Sequence, residues 1–209
     1  MKKMKTKLAI VAVLVLAIIP MAFADTVDFT GWSGQYINFT YSSKTGSNAG
    51  EIYIKWNDVP TWAYCIDLDN NLSDSSAIAY YGGVGAPIDA MDFKEAAWLI
   101  AKNWTPALSS LERSALQAAI WEVRYDDLFT IGVNGPDFKN YYDSYMQSLS
   151  LPGFDAFTPT NYVYLDLGEQ VTGKADTVQD LITRVPEPGT LLLLGLGLVG
   201  LAGLRKKFF

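Results

Sequence analysis

Residues 109–125 read SSLERSALQAAIWEVRY and carry the most regular pattern in the chain. Ser109 is followed three positions later by Glu112, which is a capping-box arrangement and predicts a helix that begins here and continues through the stretch. Apolar residues recur at helical spacing and predict its buried stripe: Leu116, Ala119, Ile120 and Val123. Gln117 lies along the border of that stripe, so we expect it at the edge of the buried face.

The surrounding segments predict strands before the helices and one strand after them. Segments 35–41, 51–56 and 61–68 are rich in aromatic and β-branched residues, and clusters of Ser, Gly, Asn and Pro separate them. Asp92 with Glu95 predicts the start of an earlier helix, and the pattern of 136–149 predicts a later one. Residues 161–167 then resemble a returning strand. The expected fold is a single β-rich α+β domain over residues 25–184, with an inserted helical segment.

The composition excludes several classes of function. The chain has 209 residues, a formal net charge of −6, one cysteine and no histidine. Without an imidazole there is no Ser-His-Asp or Cys-His catalytic pair and no His-ligated metal, so most ordinary hydrolase chemistry is excluded. We also expect no metal site and no cofactor. The lysines and arginines concentrate at the two ends and leave an acidic middle. Nucleic acid is therefore not an expected partner, because its phosphates would repel that surface.

The N-terminal 24 residues have the organisation of a secretory signal peptide. A lysine-rich start is followed by an apolar run over residues 8–19 and by small residues at the cleavage position. The apolar run is too short to span a hydrocarbon core of roughly 30 Å. We expect cleavage between Ala24 and Asp25, which would make the mature protein an exported one.

Residues 185–209 form a second targeting segment. Pro186-Glu187-Pro188 precedes an apolar run over 191–204 and a basic end, Arg205-Lys206-Lys207. This order resembles the PEP-CTERM sorting signal of Gram-negative bacteria. The resemblance implies a short transmembrane helix that anchors the protein transiently in the inner membrane, and processing at the motif by an exosortase-type peptidase. It also implies delivery to the cell surface or to a biofilm matrix rich in exopolysaccharide.

Cys65 has no cysteine partner within the chain, which is unusual for an exported protein. A buried, inert thiol that acts as a small apolar side chain is one explanation. A disulfide to a second molecule is another. A third explanation comes from the residues around Cys65, which resemble a known family.

Tyr64-Cys65-Ile66-Asp67 and the helix segment LQAAIW at 116–121 together resemble the bacterial thioester domains of surface adhesins. The resemblance implies a thioester between the Cys65 sulfur and the side-chain carbonyl of Gln117, with Tyr64, Trp98 and Trp121 around it. Such a bond would be used for adhesion, by covalent attachment to an amine on a surface protein or an amino sugar. Because the bond is consumed once, we expect no turnover enzyme. Because the chain has no histidine, we expect amines and not hydroxyls as targets. A structural matrix protein that binds exopolysaccharide without covalent chemistry is the alternative.

Overall fold

The computed structural model describes residues 25–72, 75–167 and 178–185. It contains eight strands within these ranges: β1 (Asp25–Ile37), β2 (Phe39–Tyr41), β3 (Ser47–Trp56), β4 (Val59–Cys65), β5 (Ser75–Tyr81), β6 (Phe129–Ile131), β7 (Tyr162–Leu167) and β8 (Leu181–Arg184). It also contains three α-helices there: α1 (Ala90–Asn103), α2 (Ser110–Tyr125) and α3 (Pro136–Ser148). A 3₁₀ turn, Asp126–Leu128, follows α2.

Six of the strands close into an antiparallel barrel in the order β1-β3-β4-β8-β7-β5, with β5 pairing back onto β1. Strands β2 and β6 form a separate two-stranded sheet. The three helices lie between β5 and β7 in the chain, so the α+β fold with an inserted helical segment is confirmed. Helix α2 contacts β1 and β3 as well as α1 and α3, which places it at the centre of the molecule.

The helix starts follow from their capping residues. Ser109 and Glu112 form the predicted capping box of α2, with both reciprocal hydrogen bonds present. Helix α1 begins earlier than the prediction from Asp92, because the Asp89 side chain accepts a hydrogen bond from the Met91 N–H at 2.7 Å. Pro136 opens α3, where its missing N–H costs nothing.

The strands depart further from the prediction. Strand β1 begins at Asp25 instead of residue 35, and β5, β6 and β8 were not expected. Strand β4 ends at Cys65 instead of continuing to residue 68. In β1 the chain is rich in glycine and polar residues, and Gly34 lies directly opposite Gly50 of β3. Pairing with partners distant in sequence holds such a strand, so local composition does not predict it.

None of the helices within the described ranges has the length and apolarity of a membrane span. The expected transmembrane segment at 191–204 lies outside the described residues. So do the signal peptide up to Ala24 and the motif residues Pro186, Glu187 and Pro188. The proposed boundaries of the mature domain, 25 and 184, remain predictions.

Candidate functional site

Cys65 and Gln117 meet where the end of strand β4 lies against the middle of helix α2. The Cys65 backbone N–H donates to Gln117 Oε1 at 3.0 Å, and Gln117 Nε2 donates to the Cys65 carbonyl oxygen at 2.7 Å. The carboxamide therefore bonds both the N–H and the carbonyl of Cys65, as the backbone of a neighbouring strand would. Both residues are buried, with 2% of Cys65 and 1% of Gln117 exposed.

Gln117 is more deeply buried than the sequence predicted. Every residue from Ser114 to Trp121 is buried, so Gln117 does not lie at the edge of a buried stripe. The reason is that α2 is covered by strands on one side and by the other two helices on the other. A polar side chain in that position is costly unless it is paired, and both ends of the carboxamide are paired.

The Cys65 thiol is buried and bonded to the backbone. Its S–H donates to the Asp67 carbonyl oxygen at 2.5 Å, and Gln179 Nε2 donates to the same oxygen at 2.7 Å. Burial raises the pKa of the Cys65 thiol well above its usual value, and the Asp67 carboxylate raises it further. The thiol is therefore neutral near pH 7.

Trp121, one turn of helix beyond Gln117, lies beside the same thiol. Its indole N–H, as a hydrogen-bond donor, lowers the pKa of the Cys65 thiol because it stabilises the thiolate, although burial outweighs this effect. Its Nε1 is buried and has no acceptor within ordinary hydrogen-bond geometry among the described residues. Trp121 therefore lies beside the Cys65 and Gln117 pair.

Tyr64 and Trp98, the other two residues expected there, face elsewhere. Successive side chains of a strand point to opposite faces, so Tyr64 points away from the side of Cys65. It is fully buried, and its hydroxyl is near the charges of Glu51 and Arg113. Trp98 Nε1 donates to the Ser148 carbonyl oxygen at 2.7 Å, which fixes its ring against the end of α3.

A cavity of about 330 Å³ reaches the pair, and Cys65, Gln117 and Trp121 form part of its wall. Several other lining residues were not predicted from the sequence: Phe29, Trp32, Lys44, Asn48, Asn70, Asn71 and Gln179. Gln179 lies two residues before β8 and reaches the site because that strand pairs with β4. Since these residues belong to no local motif, the folded chain was needed to find them.

Lys44 Nζ donates to the Leu68 carbonyl oxygen, so this ammonium is held by the backbone three residues beyond Cys65.

Asp25, the expected first residue of the mature chain, begins β1 and accepts a hydrogen bond from Asn57 at 2.6 Å. The described residues contain no group of three or more Cys, Asp or Glu side chains placed to hold a metal ion.

Comparison with known proteins identifies the C-terminal segment. Residues 184–207 match the PEP-CTERM protein-sorting motif. The predicted sorting signal is therefore confirmed: it marks an exported protein that is transiently anchored in the membrane and processed by an exosortase, which is a peptidase. The match covers the sorting segment and leaves the domain before it unassigned.

Among solved structures, the chain is similar to the thioester domain of the Staphylococcus aureus TIE protein. The two share 9% sequence identity, and the alignment covers 77% of this chain and 78% of that chain with a TM-score of 0.43. At these values the two chains are only distantly alike. No curated protein matches the sequence.

Proposed function

We propose that this exported protein carries an internal thioester between Cys65 and Gln117 and uses it for covalent attachment to amines on a partner surface. The observation that supports this proposal is the contact between the two residues. The Gln117 carboxamide rests on the backbone of Cys65 through two buried hydrogen bonds, although 52 positions separate the residues in sequence. The bond would be consumed once, so the protein would act in adhesion and not as a turnover enzyme.

Formation of the bond requires the Cys65 sulfur to attack the side-chain carbonyl carbon of Gln117. The C–S bond forms, the C–N bond breaks, and the amide nitrogen leaves as ammonia together with the thiol proton. Negative charge develops on Gln117 Oε1 during this step, and the Cys65 backbone N–H already donates to that oxygen at 3.0 Å. A preorganised donor of this kind stabilises the transition state. Activation would therefore come from the carbonyl side, because the buried thiol is neutral.

Protection of the bond from water follows from the same burial. A thioester survives only where hydrolysis is slow, and both partners are almost completely covered. The cavity provides the way in for a small nucleophile. In the attachment reaction an amine would attack the Gln117 acyl carbon, and the C–S bond would break to give an amide and a free Cys65 thiol.

The target is proposed to be an amine because no imidazole or carboxylate among the described residues lines the cavity and could act as a base for a hydroxyl. The chain contains no histidine. No aspartate or glutamate is among the described residues that line the cavity. An amine in its neutral form needs no such base before it attacks, whereas a hydroxyl does.

Two other functions remain as competing proposals. A disulfide-linked dimer through Cys65 is disfavoured by the burial of the thiol, because two sulfurs cannot meet without exposure of both. Non-covalent binding of exopolysaccharide is favoured by the exposed rings of Phe29 and Trp32. That second function does not require Cys65 to react.

The intact mass of the processed protein, before and after treatment with methylamine, tests the proposal. The thioester makes the chain lighter than its sequence by one ammonia, and methylamine then converts Gln117 to its N-methyl amide and frees the thiol. The Cys65→Ala variant is the control and should have its sequence mass in both samples. A wild-type mass equal to that of the sequence, with no change on methylamine treatment, would show that there is no thioester.

A further inference from the structure

The mouth of the cavity contains two aromatic rings that a regular strand would place on opposite faces. Phe29 lies opposite Ile54 and Trp32 lies opposite Ile52, so two steps along β3 correspond to three along β1. A β-bulge between Phe29 and Gly31 inserts the extra residue. Ile52 and Ile54 share one face of β3, so Phe29 and Trp32 share the matching face of β1.

Both rings are partly exposed to solvent, although large apolar side chains are usually buried. Phe29 is 37% exposed and Trp32 is 42% exposed, and both line the cavity that leads to Cys65 and Gln117. β-Bulges are enriched at barrel rims and beside active sites, where they redirect side chains. The side chains of Asn48, Asn70, Asn71 and Gln179 line the same cavity and supply hydrogen-bond donors and acceptors.

The charge of the cavity indicates which kind of amine it would accept. Lys44 is the charged side chain among its described lining residues, and none of these residues is an aspartate or a glutamate that could bind an ammonium ion. A lysine side chain at pH 7 is protonated in all but less than about 0.1% of molecules, and only the neutral amine attacks. The amino group of a hexosamine has a lower pKa than lysine, because the neighbouring oxygens withdraw electrons. It is therefore available without a base.

We propose that the cavity is a binding site for an amino sugar and that Phe29 and Trp32 stack on the apolar face of its ring. This inference rests on the proposed function and specifies its target. The amide side chains would bond the hydroxyls while the sugar amine faces Gln117. A volume of about 330 Å³ is at the small end for ligand pockets and suits one sugar ring. The amine attacks the Gln117 acyl carbon, the C–S bond breaks, and the amine proton passes to the Cys65 sulfur.

The first experiment compares the rates at which amines label Gln117 in the processed protein, measured by intact mass. The amines are a short glucosamine oligomer, a blocked lysine and methylamine, each at the same concentration of neutral amine. The glucosamine oligomer should react at least about tenfold faster than the blocked lysine. An N-acetylglucosamine oligomer, which has no free amine, should add no mass. A blocked lysine that reacts as fast as the oligomer would overturn the proposal in favour of a protein target.

Variants then test the two rings. Phe29→Ala and Trp32→Ala should each lower the ratio of the glucosamine rate to the methylamine rate about tenfold, since each removes apolar contact with the sugar. Tyr141→Ala is the matched control, because Tyr141 is 36% exposed on α3 and does not line the cavity. It should leave the ratio unchanged. An unchanged ratio in both ring variants would contradict the stacking role.

A binding measurement separates this inference from the proposed thioester. The Cys65→Ala variant cannot form the bond, yet it retains both rings and the amide side chains. Calorimetric titration with the glucosamine oligomer should show binding to this variant and at least about tenfold weaker binding when Trp32→Ala is added. Absence of binding to Cys65→Ala would refute the sugar site even if methylamine labels the wild-type protein. Binding together with a wild-type mass equal to that of the sequence and no methylamine labelling would support the sugar site and refute the thioester.

Discussion

Cys65→Ala and Gln117→Ala should destabilise the protein by different amounts. If the thioester is present, Cys65→Ala removes a link that closes a loop of 52 positions. By the relation for disulfide loops, such a link contributes about 4 kcal/mol to the free energy of unfolding. The Cys65→Ala variant keeps the whole Gln117 carboxamide and so has both of its hydrogen bonds to the backbone of residue 65, whereas the thioester form has lost the Gln117 nitrogen and its bond to the Cys65 carbonyl. The expected loss for Cys65→Ala is therefore at most about 4 kcal/mol, because the regained hydrogen bond offsets part of the lost link.

Gln117→Ala should cost more, because it removes the link and also leaves the N–H and carbonyl of Cys65 buried without partners. Each unpaired group costs about 1–3 kcal/mol, so this variant should be less stable than Cys65→Ala by about 2–6 kcal/mol. Urea unfolding followed by tryptophan fluorescence measures both values. The double variant should match Gln117→Ala, since the link is already absent in each.

The two comparisons test different parts of the reasoning. A Cys65→Ala variant within about 1 kcal/mol of wild type would refute a stabilising link in the processed protein. A Gln117→Ala variant no less stable than Cys65→Ala would contradict the paired carboxamide, whatever the state of the link.

Three other predictions follow from the site and its surroundings. Gln117→Glu should have its sequence mass and no reaction with methylamine, because a carboxylate offers no ammonia to leave and is a poor acyl donor; intact mass checks both. Lys44→Arg should retain the missing ammonia and the methylamine reaction, since the Lys44 ammonium is bound to the Leu68 carbonyl and is not expected to capture Gln117. Burial raises the pKa of Tyr64 well above 10.0 and that of Tyr145 to about 12. In the unfolded chain these hydroxyls lose their protons at a lower pH than in the folded protein. Their contribution to the free energy of unfolding should therefore be fully present below pH 10 and fall as the pH rises above it. Urea midpoints at pH 8 and pH 11 measure the effect, and equal midpoints would contradict it.

The elements that were predictable from the sequence are those stabilised by residues close together in the chain. The capping box of α2 was predictable because Ser109 and Glu112 are three positions apart and bond each other directly. The strand β8 was not, because its four residues acquire their role by pairing with β4 and β7. Helix caps are local interactions, whereas strand pairing is decided by segments far away in the chain.

The candidate site shows the same division. Cys65 and Gln117 were found because each lies in a short motif, and Trp121 followed because it is one helical turn from Gln117. Tyr64 was placed at the pair only because of the resemblance to thioester domains, and strand alternation turns its side chain to the other face. Trp98 belongs to a different helix, and only the packing of α1 on α3 shows that its indole bonds Ser148.

Burial has two opposing effects on the proposed chemistry, and the structure indicates how they are reconciled. The cover that would protect a thioester from water also raises the pKa of the Cys65 thiol, which makes the thiolate scarce. Two groups counter this effect without admitting solvent: the Trp121 indole favours the thiolate, and the Cys65 N–H polarises the carbonyl to be attacked. Both belong to the residues of the pair or to the next turn of the same helix. The bond could therefore form after folding has excluded water, and the cavity would need to admit only the amine that later breaks it.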